Sequence, residues 1–344
     1  MKKMITGGVL VEKSYLPPAA HPHTGAYAEL QSCSIPNPIL LSGTIFITRE
    51  TGYLQQSFTS PKSTAFVSNS TAYITLNTGY TYSYQKDGPD AEAVHMALEF
   101  IKTGKPAFMH IHLQDAGGAG SESMAGENTV NKNAEWRGNI WAGNSPYRSV
   151  TERADSLLGV FINGLEKQGI LEKTVILVIG DHGQNDGGWH PLEFLDSSIT
   201  TIVLWGAGVK KGTRIPYAEH IDAVPTISAL MGVTPPKTSR GRVIAEALLD
   251  FSRDVPQRKT MIKDMDELFI KYRKAIHETS YLIEQNTSGN QGALFSRLNE
   301  VKSNFYDISR FVEWPRFTSI EELLENDRKA MKQLDDLLSL VKKQ

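Results

Sequence analysis

A single cysteine, Cys33, stands in the whole chain. No internal disulfide can form, and stability must come from a packed core. Long apolar runs are missing as well: no stretch approaches the roughly 20 residues that span a membrane. The basic opening Met1-Lys2-Lys3-Met4 lacks the apolar segment of a signal peptide. As it stands the chain is expected to be soluble and cytoplasmic, unless an export signal lies upstream. A charge excess is also absent. Basic residues number 36 against 38 acidic ones, a net charge of -2, which gives no electrostatic reason to expect a nucleic-acid polymer or a membrane as partner. No internal repeat and no low-complexity tract occurs, which removes solenoids and linker-like chains. What is there is ordinary globular composition, 40% hydrophobic and 22% charged over 344 residues, enough for one large α/β domain or two smaller ones.

Residues 1–79 are rich in Ser, Thr, Pro and Gly with short apolar runs, which predicts short strands and long loops. Helical spacing covers residues 91–101. Residues 107–113 read as a strand ending in Gln114-Asp115. The polar, glycine-rich stretch 114–145 is too long for a plain connector and reads as an active-site loop. Val150, Ala154, Leu157, Leu158, Phe161, Ile162 and Leu165 recur at three- and four-residue steps, the stripe of an amphipathic helix, and Gly169 ends it. Residues 174–179 are a continuous apolar run rich in β-branched residues, as in a strand buried on both faces, and residues 199–205 repeat the signal. Such alternation predicts an α/β layered domain. Residues 254–259 read as a linker, and beyond it helices are expected over 261–284, 294–311 and 320–341. The domains are therefore placed at 1–252 and 253–344. The helical extension is read as packing on the catalytic body or on a second copy of the chain, with a partner-binding tail as the alternative.

Ligands in open α/β sheets sit outside the carboxyl ends of the strands. Two predicted strands end there in an aspartate, Asp115 and Asp181, and Asp181 is followed by His182-Gly183. A carboxylate beside an imidazole on a glycine turn offers one oxygen and one nitrogen to a divalent cation, a mix that suits zinc. His190 follows Gly187-Gly188-Trp189. The plainer reading of Asp181-His182 is a helix-capping carboxylate beside a surface histidine.

Around this turn, Val178-Ile179-Gly180-Asp181-His182-Gly183, Asp115-Ala116-Gly117-Gly118, residues 199–212, and His220-Ile221-Asp222-Ala223-Val224-Pro225-Thr226 with Gly241-Arg242 fall in the order found in the alkaline-phosphatase superfamily. The chain resembles that superfamily, which includes nucleotide pyrophosphatase/phosphodiesterases, sulfatases and alkaline phosphatases, over roughly residues 4–249. The resemblance implies a three-layer α/β/α sandwich with a mostly parallel central sheet, to which the C-terminal helices are added. It also implies a hydrolase of phosphate or sulfate esters that holds two divalent metals, usually zinc. Asp181 and His182 would bind the nucleophile-side metal, and Asp115 and His190 the other. Ser34-Ile35-Pro36-Asn37 resembles the nucleophile stretch of the phosphodiesterase members and makes Ser34 the nucleophile. Cys33 is the lesser candidate, because Ile35 and Asn37 stand where sulfatases carry proline and arginine. A turn-capping hydroxyl is the plain alternative for Ser34.

Two departures stand out. Members carry a histidine four residues after the middle aspartate; here that residue is Ala119, with Glu122, Asp186, His110 or His112 as substitutes to consider, the last two otherwise core histidines. Residues 4–11 resemble the segment that follows the family's first strand, so that strand and its aspartate are expected to be missing. The alternative to an active hydrolase is thus a degenerate member that binds a ligand or partner without turnover. Tyr80, Tyr82, Tyr84, Trp136 and Trp141 are candidates to line a substrate pocket, or else packing residues.

Overall fold

The structure, a computed structural model, describes residues 1–16, 27, 30, 52–124, 133–190, 194–237, 239–249, 261–307, 310, 313, 316–317 and 320–343. Cys33 and Ser34 lie outside the described residues. The chain divides into two compact units, and among the described residues the first covers 1–249 and the second 261–343.

In the first unit, strands β1 (Val9–Tyr15), β5 (Val175–Ile179), β6 (Ile199–Gly206) and β7 (Thr213–Glu219) pair in the order β5-β6-β1-β7. Only β6 opposes its neighbours, while β1 and β7 pair in parallel. Strands β2 (Thr64–Ser68), β3 (Tyr82–Gln85) and β4 (Phe108–His112) pair in parallel in the order β3-β2-β4. The expected α/β class with a mostly parallel sheet is what the chain forms.

Alternation along the strands builds the layers. Val9, Val11, Ile202, Leu204 and Ile215 turn to a core shared with Ala223, Val224 and Ile227 of helix α5 (Ala223–Met231). Leu10, Val203, Trp205, Ile176 and Val178 turn to the opposite core. There they meet Met4 of α1 (Lys2–Gly7), Ile101 of α2 (Asp90–Gly104) and Leu165 of α4 (Pro146–Lys167). Successive side chains of a strand face opposite ways, so a sheet covered by helices on both faces needs apolar residues on both, as in β5 and in Ile202, Val203, Leu204 and Trp205 of β6. Helix α4 begins with Pro146 at its first turn and stops at Gly169, whose φ of +69° suits glycine.

The stretch 114–145 departs from the loop expected there. It opens with helix α3 (Asp115–Ser123), five of whose nine residues are Gly or Ser. Weak propensity is overridden by a cap from outside the helix. The buried Asp90 accepts hydrogen bonds at Oδ1 from the Gln114 and Asp115 backbone N–H groups, at 3.0 and 3.1 Å, which satisfies donors that a helix start leaves orphaned.

The second unit packs α6 (Met261–Gln285), α7 (Gln291–Asn304) and α8 (Ile320–Val341). Leu323, Leu324, Met331, Leu334, Leu337 and Val341, a thin stripe in the sequence, are all buried. Helix α7 ends at Asn304 rather than near 311. Phe305 turns extended and stacks on Tyr272 at 3.7 Å, and the Tyr306 N–H donates to the buried Asp327 at 2.9 Å. Those two contacts replace further helical turns. No helix among the described residues is long and apolar enough to cross a membrane.

Candidate active site

Strand β5 ends at Ile179, and the chain turns through Gly180 into Asp181-His182-Gly183. The glycine of this triplet has a steric cause. A Cβ on Gly183 would run into the backbone carbonyl oxygens of Asp196 and Ile199, and the Gly183 N–H donates to the Ser197 carbonyl at 3.0 Å. Only a residue without a side chain lets the two backbones approach so closely.

Asp181 Oδ1 accepts the His182 N–H at 3.0 Å, and Oδ2 accepts the Tyr27 hydroxyl at 3.0 Å. His182 Nδ1 lies 2.7 Å from the Gly183 carbonyl oxygen. A carbonyl can only accept, so Nδ1 carries the proton and Nε2 is the basic nitrogen of the neutral ring. That Nε2 stands 3.4 Å from Asp181 Oδ2. An imidazole nitrogen and a carboxylate oxygen at this distance can share a proton or a cation.

His190 is brought back by a tight loop. Asn185 N–H donates to the Trp189 carbonyl at 2.9 Å, and the Trp189 N–H to the Gly120 carbonyl at 3.3 Å. Gly188 and Trp189 both have positive φ, +92° and +67°, uncommon for a non-glycine residue. The buried His190 ring stacks on Trp189 at 4.1 Å and meets His182 edge-on at 4.4 Å.

Behind Asp181 lies a buried polar group that the sequence did not flag. Tyr27 is 1% exposed. Its hydroxyl, which bonds Asp181, also lies 3.3 Å from His112 Nδ1, whose Nε2 is 2.9 Å from Gln114 Oε1. Burial, then the Asp181 charge, hold the Tyr27 hydroxyl well above its ordinary pKa, and the same two causes push Tyr73 up to about 12. Both phenols therefore stay protonated. His220 also comes to this corner. It is fully buried, its Nε2 donates to the Gly180 carbonyl at 3.2 Å, and burial pushes its pKa down to about 4. The His-x-Asp pattern had pointed to His220 but gave it no role. Nothing in the sequence around Tyr27 marks it.

Asp115 sits in a different network. One oxygen accepts Asn69 Nδ2 at 3.3 Å, and the other accepts the Asp90 N–H at 3.4 Å and Arg153 Nη2 at 3.2 Å. Ala119, one turn along α3, is buried. Asp186 accepts the Trp141 indole N–H at 2.6 Å, and Glu122 is exposed. His110 packs edge-on against Phe66 at 5.2 Å, as a core histidine. Tyr80 packs near Phe66 and Phe108, Tyr82 near Phe100, and Tyr84 bonds Glu92. Trp136 is buried, and Trp141 is exposed above the loop that carries His190.

Asp181, His182 and His190 thus meet at one turn, while Asp115 accepts hydrogen bonds from Asn69, Asp90 and Arg153. Among the described residues no group of three or more His, Cys, Asp or Glu side chains is placed to hold a metal ion. The Asp181–His182 corner offers a cation a carboxylate oxygen and an imidazole nitrogen 3.4 Å apart. Its Nδ1–H is tied to a backbone carbonyl, the support a ligating histidine usually has.

Comparison with known proteins gives a consistent picture. The profile described as Sulfatase matches residues 43–233. The chain is 25% identical over 128 residues to GPI ethanolamine phosphate transferase 2 of Aspergillus fumigatus, a match covering 33% of this chain and 17% of that protein. It is 24% identical over 100 residues to arylsulfatase K of Mus musculus, covering 28% of this chain and 18% of that one. The matched stretches thus span less than a fifth of either relative. Among solved structures, phosphonate monoester hydrolase SpPMH from Silicibacter pomeroyi superposes with a TM-score of 0.56 at 14% identity, covering 75% of this chain and 72% of that one. At that identity the likeness is one of fold.

Proposed function

The chain belongs to the sulfatase family, and from that premise we propose that it hydrolyses sulfate or phosphate esters at the carboxyl end of β5. The observation that carries this reading is the convergence of Asp181 Oδ2 and His182 Nε2 at 3.4 Å, with His190 against them, inside the matched span. Ser34, also the family-order candidate, is proposed as nucleophile. Its Oγ bonds to the sulfur or phosphorus as the ester's alcohol oxygen leaves with a proton, and water then cleaves the serine ester and regenerates the hydroxyl. Asp181 and His182 are proposed to hold a divalent cation, with zinc the ion their donors suit. Such an ion, when bound, supplies charge that favours an ionised nucleophile. The protein's own part is orientation. Gly183 O fixes the tautomer of His182, Tyr27 pins Asp181, and Trp189 holds His190 against His182.

The test is turnover by the purified full chain on aryl sulfate, phosphate monoester, phosphodiester and phosphonate monoester, with and without a chelator. Turnover of at least one ester is expected, and Ser34→Ala and His182→Ala should each reduce it at least 100-fold, in the range of losing a nucleophile or a metal ligand. Activity unchanged by Ser34→Ala sinks the nucleophile assignment. A second reading, binding without turnover, is favoured by one observation: the described side chains assemble no three-donor group. A metal-loaded chain inert on the whole panel would support it.

A further inference from the structure

We infer that Arg153 is the cation of the Asp115 corner, and that this corner takes no metal. The superfamily pattern would make Asp115 a ligand of a second ion, so the residues present disagree with the pattern. Four observations carry the inference. Asp115 opens α3, and Ala119 lies four residues on, on the same helix face, where a methyl group supplies no donor. Both carboxylate oxygens of Asp115 already receive N–H donors, from Asn69, Asp90 and Arg153. Asn69 and Asp90 are buried, and Asp90 Oδ1 accepts from Asn69 Nδ2 and from the Gln114 and Asp115 N–H groups, which ties that oxygen to the start of α3 rather than to an ion. Finally, His190 packs against His182 and Trp189, and no group of three candidate ligands forms among the described residues.

A guanidinium on a carboxylate is a charge-assisted hydrogen bond. It supplies positive charge where an ion would otherwise sit. Arg153 is 54% exposed and Asp115 18%, so solvent screens the guanidinium side of the pair. The inference concerns cation stoichiometry and holds whichever ester is cleaved.

The experiment counts metal in the full-length protein, stripped with chelator, reloaded with zinc or manganese, and desalted. Wild type is compared with Asp115→Asn, Arg153→Met and the double variant, each checked for folding by its melting curve. Asp115→Asn should hold as many ions per chain as wild type. Arg153→Met should lower the denaturant midpoint in the wild-type background and leave it unchanged in the Asp115→Asn background, and Arg153→Lys should retain part of the wild-type midpoint. Loss of a bound ion on Asp115→Asn overturns the inference. So does an equal effect of Arg153→Met in both backgrounds, because additivity means that the pair does not interact.

Discussion

Single atoms decide whether the turn after β5 forms. Gly183 has no room for a Cβ between the Asp196 and Ile199 carbonyls, so Gly183→Ala is expected to destabilise the chain by about 1–3 kcal/mol or more, read from its denaturant midpoint. Tyr27 holds Asp181 by a buried hydroxyl. Tyr27→Phe removes a hydrogen bond to a charged group, which should cost roughly 1.5–3 kcal/mol in the same measurement; a change under about 0.5 kcal/mol would mean that Asp181 does not depend on it. The two residues differ in legibility. Asp181-His182-Gly183 was readable because a polar triplet follows a continuous apolar run. Tyr27 was not, since its partners Asp181 and His112 are 154 and 85 residues away and a lone tyrosine carries no pattern.

The elements repeat this division. Strands β5 and β6 and helix α4 were legible because burial on a fixed period leaves its mark in sequence. Helix α3 was not. Its glycines and serines argue against a helix, and the carboxylate that caps it belongs to α2. The early end of α7 was hidden for a similar reason, because the Tyr306 N–H is drawn to Asp327 on α8. Asp327 gives this element a testable charge. Burial, with Asp307 adding to it, pushes its pKa up to about 6, and Oδ2 has no hydrogen-bond partner among the described residues. Asp327→Asn keeps an oxygen for Tyr306 and removes the buried charge. It should raise the stability of the helical unit at pH 8 by about 1 kcal/mol, and the gain should vanish below about pH 4, where the native carboxyl is already neutral. A destabilising Asp327→Asn at pH 8 would show that the charge is used.

Across the whole molecule the two units carry buried groups of opposite sign. Burial, aided by the neighbouring His112, pushes His110 down to about 3, and burial pushes His220 down to about 4. The unfolded chain therefore protonates first as pH falls. The stability these histidines contribute is full above about 6.5 and is lost toward pH 4. Asp327 titrates the other way: the folded form protonates first, so the helical unit gains stability as pH falls through about 6. Hydrogen exchange at pH 7 and pH 5 should show protection falling in β4 and the turn after β5 and rising in α8. Parallel changes in both units would contradict the assignments. The family was legible in the order of motifs along the chain. The pairing of Asp115 with Asn69, Asp90 and Arg153 was not, because a motif's order says nothing of which side chains reach each other. What the reading requires above all is that the end of β5 does chemistry. The direct measurement is the rate at which the purified chain and its His182→Ala variant release alcohol from an aryl sulfate and an aryl phosphate. Turnover of either ester by the wild type and a loss of at least 100-fold in the variant are expected. Equal rates in the two proteins would contradict it.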